Sequence, residues 1–138
     1  VVRRAKPGDV DAICGGLPQS WLGVSWGDVP TWLVGDRASG KGRGFLLYRK
    51  PHKTAIDPNR GELYDDLLVI RTANAEDKRV LVESAGPFFT IDHFRGYNAV
   101  LIQQSRLREI GQDELTEVIT DAWRAVAPAA LRRAHPSV

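Results

Sequence analysis

Residues 112–127 constrain the fold of this chain more than any other stretch. Leu115, Val118, Ile119, Ala122, Trp123 and Val126 fall at offsets 0, 3, 4, 7, 8 and 11 and form one apolar face, and Pro128 closes the helix. A helix with a single apolar face must bury it against another element. The apolar segments able to receive it read as strands. Asp66-Leu67-Leu68-Val69-Ile70-Arg71 is a continuous apolar run of buried-strand type. Residues 31–35, 45–49 and 98–103 have the same character, and a shorter strand is expected near residue 25. Pro30 can precede a strand or sit on an edge but cannot serve a central ladder.

Two further helices complete the pattern. Residues 9–17 read as a first helix, with Asp9 as N-cap and Gly15-Gly16-Leu17-Pro18 ending it, after a frayed lead-in. Asn74 is placed to cap a helix whose first turn carries Glu76 and Asp77, and Gly86-Pro87 ends it. The order is α, several β, α, β, α. Strands clustered in sequence and joined by hairpins predict an α+β fold, a single antiparallel β-sheet with helices packed on one face. At 138 residues the chain suits a single domain spanning 1–138, with a core over about 9–130 and a mobile tail at 131–138.

Composition narrows the function classes. No apolar run approaches the roughly 20 residues of a membrane-spanning helix, so no membrane partner is expected. The N-terminus does not read as a secretory signal, and the protein reads as cytoplasmic. Cys14 is the only cysteine, which excludes an intramolecular disulfide and a thiolate cluster; it reads as a small packed side chain. No metal site and no cofactor are expected.

The net charge is only +2, but its distribution is uneven. Residues 36–62 carry Arg37, Lys41, Arg43, Arg49, Lys50, Lys53 and Arg60 against Asp36, Asp57 and Glu62, a local +4. The stretch 35–44 holds four glycines and reads as a long basic hairpin loop. Exposed cations and free backbone N–H groups suit phosphate oxygens, which position a nucleic acid without reading its sequence. The spacing is not that of a P-loop. A solvated charged loop is the plainer alternative.

A second constellation lies in Phe88–Gln103, where His93, Arg95 and Tyr97 surround Gly96 at a strand entrance. A histidine near neutrality, a guanidinium and a phenol could bind a small ligand or a protein partner. They could equally form a structural corner, Gly96 making the turn while His93 and Arg95 bond backbone carbonyls. Nothing supplies a partner nucleophile, so no catalytic residue is assigned. Trp21 and Trp26 could stack on a base or line a pocket beside that corner, or simply pack on the sheet. Asp65 and Asp66 point to opposite faces of a strand and cannot form a dyad.

Four pieces together carry a resemblance. They are Leu17-Pro18 followed by Ser25-Trp26-Gly27 and Pro30-Thr31-Trp32; the strand 66–71; Phe89-Thr90-Ile91-Asp92-His93-Phe94-Arg95-Gly96-Tyr97; and Asp121-Ala122-Trp123-Arg124-Ala125-Val126-Ala127-Pro128. Over about residues 9–130 the chain resembles the MmcQ/YjbR family of small bacterial proteins. It departs at Asn98, where proline is frequent, and in a longer basic loop. The resemblance implies a fold similar to frataxin-like and secretion-chaperone-like domains, a double-wing arrangement and DNA as partner.

Overall fold

The computed structural model describes residues 3–25, 29–49, 66–91 and 94–138, with backbone only at Ser25 and Arg49. Its elements are α1 (Pro7–Gly15), β1 (Ser20–Ser25), β2 (Val29–Asp36), β3 (Lys41–Arg49), β4 (Leu67–Arg71), α2 (Ala75–Glu83), β5 (Ala99–Gln103), a 3-10 turn (Gln104–Glu109), α3 (Gln112–Val126) and α4 (Ala129–Ala134). The five strands form one antiparallel sheet in sequence order, β1 to β5. The α+β expectation holds.

Alternation along the strands separates two cores. On one face Trp32, Val34, Leu46, Leu68, Ile70, Val100 and Ile102 meet the helices. The stripe on α3 supplies Leu115, Ile119, Ala122, Trp123 and Val126, all buried. On the other face Leu47, Leu67, Val69, Ala99 and Leu101 are covered by Phe89, Ile91, Phe94 and Tyr97. The segment around Phe89 therefore forms a second layer, tied to the edge of β5 by paired hydrogen bonds between Phe89 and Leu101, 2.9 and 2.8 Å.

Pro30 lies within β2, yet obeys its constraint. It pairs with Val24 of β1, while the β3 ladder begins one residue later at Thr31↔Leu47. A register shift between Trp32 and Leu33 leaves Phe45 as the extra residue, so Phe45 and Leu46 both enter the helix-side core.

Three boundaries differ from expectation. First, α1 starts at Pro7, with Asp9 at its third position rather than as its cap. Proline suits the first turn because its missing N–H has no helical partner there. The Asp9 carboxylate accepts from the Lys6 backbone N–H at 3.0 Å and from the Arg3 guanidinium at 2.8 and 3.1 Å. The lead-in is not frayed: Ala5 N–H donates to Ile110, and Gln112 N–H donates to Arg3.

Second, the basic loop shrinks to a four-residue turn, 37–40, with Lys41, Gly42, Arg43 and Gly44 inside β3. Third, residues 131–138 are not a free tail: they begin on α4 and touch the fold at two points. Leu131 on α4 is buried in the helix-side core, and Arg124 donates to the Pro136 carbonyl at 2.8 Å.

Candidate functional site: a basic hairpin beside a tryptophan

The hairpin is shaped by two glycines with left-handed backbone. Gly35 has φ +138°, and an added Cβ would stand 2.6 Å from the Lys41 carbonyl oxygen. Gly40 closes the turn at φ +69°, its N–H donating to Arg37 at 3.1 Å. Asp36 accepts from Ala38 N–H at 3.0 Å, and the Ser39 hydroxyl donates back to the Asp36 carbonyl. Arg37, Lys41 and Arg43 are all exposed, and no ion pair among the described residues engages them. Lys41 and Arg43 stand opposite Asp36 and Val34 and so share one face of the ribbon, with Arg37 in the turn. Arg49 continues β3 in backbone, its side chain outside the described residues. Lys50, Lys53 and Arg60 also lie outside them.

Trp21 stands near this hairpin, but on the other face of the sheet from Lys41 and Arg43. It pairs with Leu33, on the face away from the helices, and belongs to neither core. Its indole spreads over two glycines. A Cβ at Gly23 would fall 2.8 Å from Trp21 Cζ3, and one at Gly42 would fall 2.8 Å from Cζ2. The Trp21 Nε1 donor is buried without a partner among the described residues. Such an orphan costs about 1–3 kcal/mol. The half-buried ring walls an open cavity of about 440 Å³, shared with Gln19, Ser20, Gly35, Asp36 and Arg37.

The other two described tryptophans are spent internally. Trp123 donates to the Pro18 carbonyl at 3.0 Å, and Trp32 donates to Asp11 at 2.9 Å. Asp11 also accepts from the Tyr48 hydroxyl at 2.6 Å. Cys14 is wholly buried, and its thiol pKa is driven up by burial, with Asp11 adding to the effect. Asp66 accepts from Ser105 N–H at 2.8 Å and so fixes the 3-10 turn.

The corner at Arg95 and Tyr97 is organised by a residue the sequence reading did not select. Lys78, buried on α2, donates to the carbonyls of Phe94 and Tyr97, both at 2.6 Å. Burial lowers its pKa. Arg71 donates to the Tyr97 hydroxyl and also lies over the ring, its Cζ 4.8 Å from the centroid. Tyr97 packs against Phe94 with centroids 5.8 Å apart. Gly96 has no left-handed φ, and a Cβ there would meet open space, so the turn does not depend on it. Arg95 is exposed. His93 and Trp26 lie outside the described residues.

A second groove of about 380 Å³ separates α2 from α3. Its walls carry Asp77, Glu114, Glu117 and Asp121 against Arg71. Burial, with Glu117 and Asp77 nearby, raises the Asp121 carboxyl above its ordinary value. This acidic groove is unsuited to phosphate. No helix among the described residues is long and apolar enough to cross a membrane.

The architecture defines a class: one five-stranded antiparallel sheet with helices on one face. The same fold occurs in protein DR2400 of Deinococcus radiodurans, whose crystal structure contains a DUF419 domain. The match has a TM-score of 0.60 at 17% identity, covering 94% of this chain and 86% of that one. No protein-family model matches the chain. Among curated sequences it is 34% identical over 137 residues to uncharacterized protein Mb2600 of Mycobacterium bovis, covering 91% of this chain and 92% of that protein. Uncharacterized protein Rv2570 of Mycobacterium tuberculosis matches with the same identity and coverage. This chain belongs to the family of those uncharacterized mycobacterial proteins.

Proposed function

We propose that this protein is a non-catalytic nucleic-acid-binding module of MmcQ/YjbR type, acting in the cytoplasm, whose β2–β3 hairpin serves as a basic wing against phosphates. The observation that carries this reading is the set of exposed cations, Arg37, Lys41 and Arg43, on a short hairpin, none in an ion pair among the described residues. A guanidinium held by a neighbouring carboxylate would have to exchange that partner for phosphate; these three need no such exchange. Acidic side chains gather in the α2–α3 groove, away from the hairpin turn. Phosphate contacts of this kind give weak sequence preference.

The corner supports the alternative, a small-ligand or protein site at His93, Arg95 and Tyr97, less well. Its carbonyls are taken by Lys78, and the Tyr97 hydroxyl by Arg71.

The test is binding of a labelled oligonucleotide, followed by fluorescence anisotropy across a salt series. A variant with Arg37, Lys41 and Arg43 all replaced by alanine should lower the slope of log K against log salt by about 0.7–0.9 for each phosphate contact removed. An unchanged slope, or no wild-type binding at low salt, overturns the proposal.

A further inference from the structure

We propose that Trp21 is a base-stacking platform, which makes the ligand single-stranded nucleic acid rather than duplex; the inference rests on the nucleic-acid reading above. Trp21 is a large aromatic that neither core claims. It is half-buried on the edge strand, on the sheet face opposite the helices. The layer formed by Phe89, Ile91, Phe94 and Tyr97 covers Leu47, Leu67, Val69, Ala99 and Leu101, not Trp21.

Gly23 and Gly42 lie against the ring, because a Cβ at either position would clash with it. Their missing side chains let the indole lie low across the sheet. Nε1 has no acceptor among the described residues, although the ring borders an open cavity. Such a donor is completed by a water or by an acceptor brought in from outside. Arg37 borders the same cavity, which puts an exposed arginine and the indole around one site.

An aromatic surface with a neighbouring cation is the arrangement used to hold single strands: the base stacks, and the backbone phosphate meets the charge. In a duplex both faces of each base are already stacked on neighbours. Only an unpaired base can lie on Trp21 without first being taken out of a helix. Stacking tolerates any base, in keeping with the weak sequence preference expected of the hairpin.

The experiment compares 5′-labelled (dT)15 with a blunt 15-base-pair duplex, by anisotropy at two salt concentrations. The proteins are the full chain and its W21L and W21F variants, each checked for folding by circular dichroism. Leucine retains apolar packing over the glycines but offers no ring. The expected result is that wild type prefers (dT)15, and that W21L binds it about tenfold or more weakly. Duplex binding should change little. Should W21L fail to fold, intrinsic fluorescence decides: (dT)15 should quench wild-type emission, and W21F should lose most of that quenching.

Single-strand affinity unchanged in folded W21L, or quenching retained in W21F, overturns the stacking role while leaving the hairpin proposal standing. A wild-type preference for duplex does the same. Absence of binding to either probe removes the hairpin proposal and this one with it.

Discussion

Lys78 shows how much a single side chain can decide here. In the sequence it follows Glu76 and Asp77 on a helix and looks like one more solvated charge. In the fold it is buried, and its ammonium satisfies carbonyls 16 and 19 residues away. His93 and Arg95 were the expected carbonyl partners because they are close in sequence. No periodicity encodes a contact made by a long flexible stem across that separation.

Replacing Lys78 with methionine keeps the apolar stem and removes the charged donors, so the two carbonyls keep only their bonds from the Tyr97 and Ala99 backbone N–H groups. A loss of about 1–3 kcal/mol is expected in urea denaturation. The pH dependence has a definite sign. Burial holds the Lys78 pKa below its ordinary value. Between that lowered value and roughly 10.4 in the unfolded chain, the unfolded state binds more protons, so stability rises with pH. The stability gap between wild type and Lys78→Met should therefore widen as pH climbs toward 10. A gap that narrows there contradicts this account.

At the scale of elements, legibility followed periodicity. The α3 stripe and the run of β4 were plain because apolar side chains repeat at a period belonging to one structure. The tip of the hairpin was not, because Lys41-Gly42-Arg43-Gly44 opens β3 without an apolar residue. Its glycines signal loop, whereas two of them serve Trp21 and Thr31: a Cβ at Gly44 would stand 2.9 Å from Thr31 Cγ2. The tryptophan that needs Gly42 sits two strands away, out of reach of any local pattern.

Gly35 is different, since its own backbone demands glycine. Gly35→Ala combines a φ that alanine avoids with a backbone clash. It should cost about 1–3 kcal/mol, measured by denaturant melting. The same variant should weaken oligonucleotide binding through distortion of the turn that carries Arg37. Full stability in Gly35→Ala would show that the hairpin tolerates another geometry.

Across the whole molecule, the class and the α3 stripe of the helix-side core followed from the sequence, while the strand order and the second layer did not. Phe89 and Ile91 alternate at the period of a strand, and that signal was available. It was obscured by the polar residues crowded after it. The ends were misjudged for a related reason: charged termini read as solvated. The start is bonded to Ile110 and Gln112, and the last helix buries Leu131. Leu131→Ala should cost about 2–3 kcal/mol, at the lower end of core truncations because the site is peripheral. Its melting transition should stay single, since Leu131 joins the same core as α1 and α3. A loss below about 0.5 kcal/mol would return the tail to the status of an appendage.

The burial of Cys14 has a practical consequence for anyone labelling this protein. Its sulfur is enclosed, and its pKa lies far above that of an ordinary thiol, so little thiolate is available to attack a maleimide. A cysteine introduced on the exposed turn at Ser39 would be the fast-reacting thiol of the native chain, with no need to remove the natural one. Slow uptake of reagent at Cys14 itself would then clock the rate at which α1 lifts from the sheet.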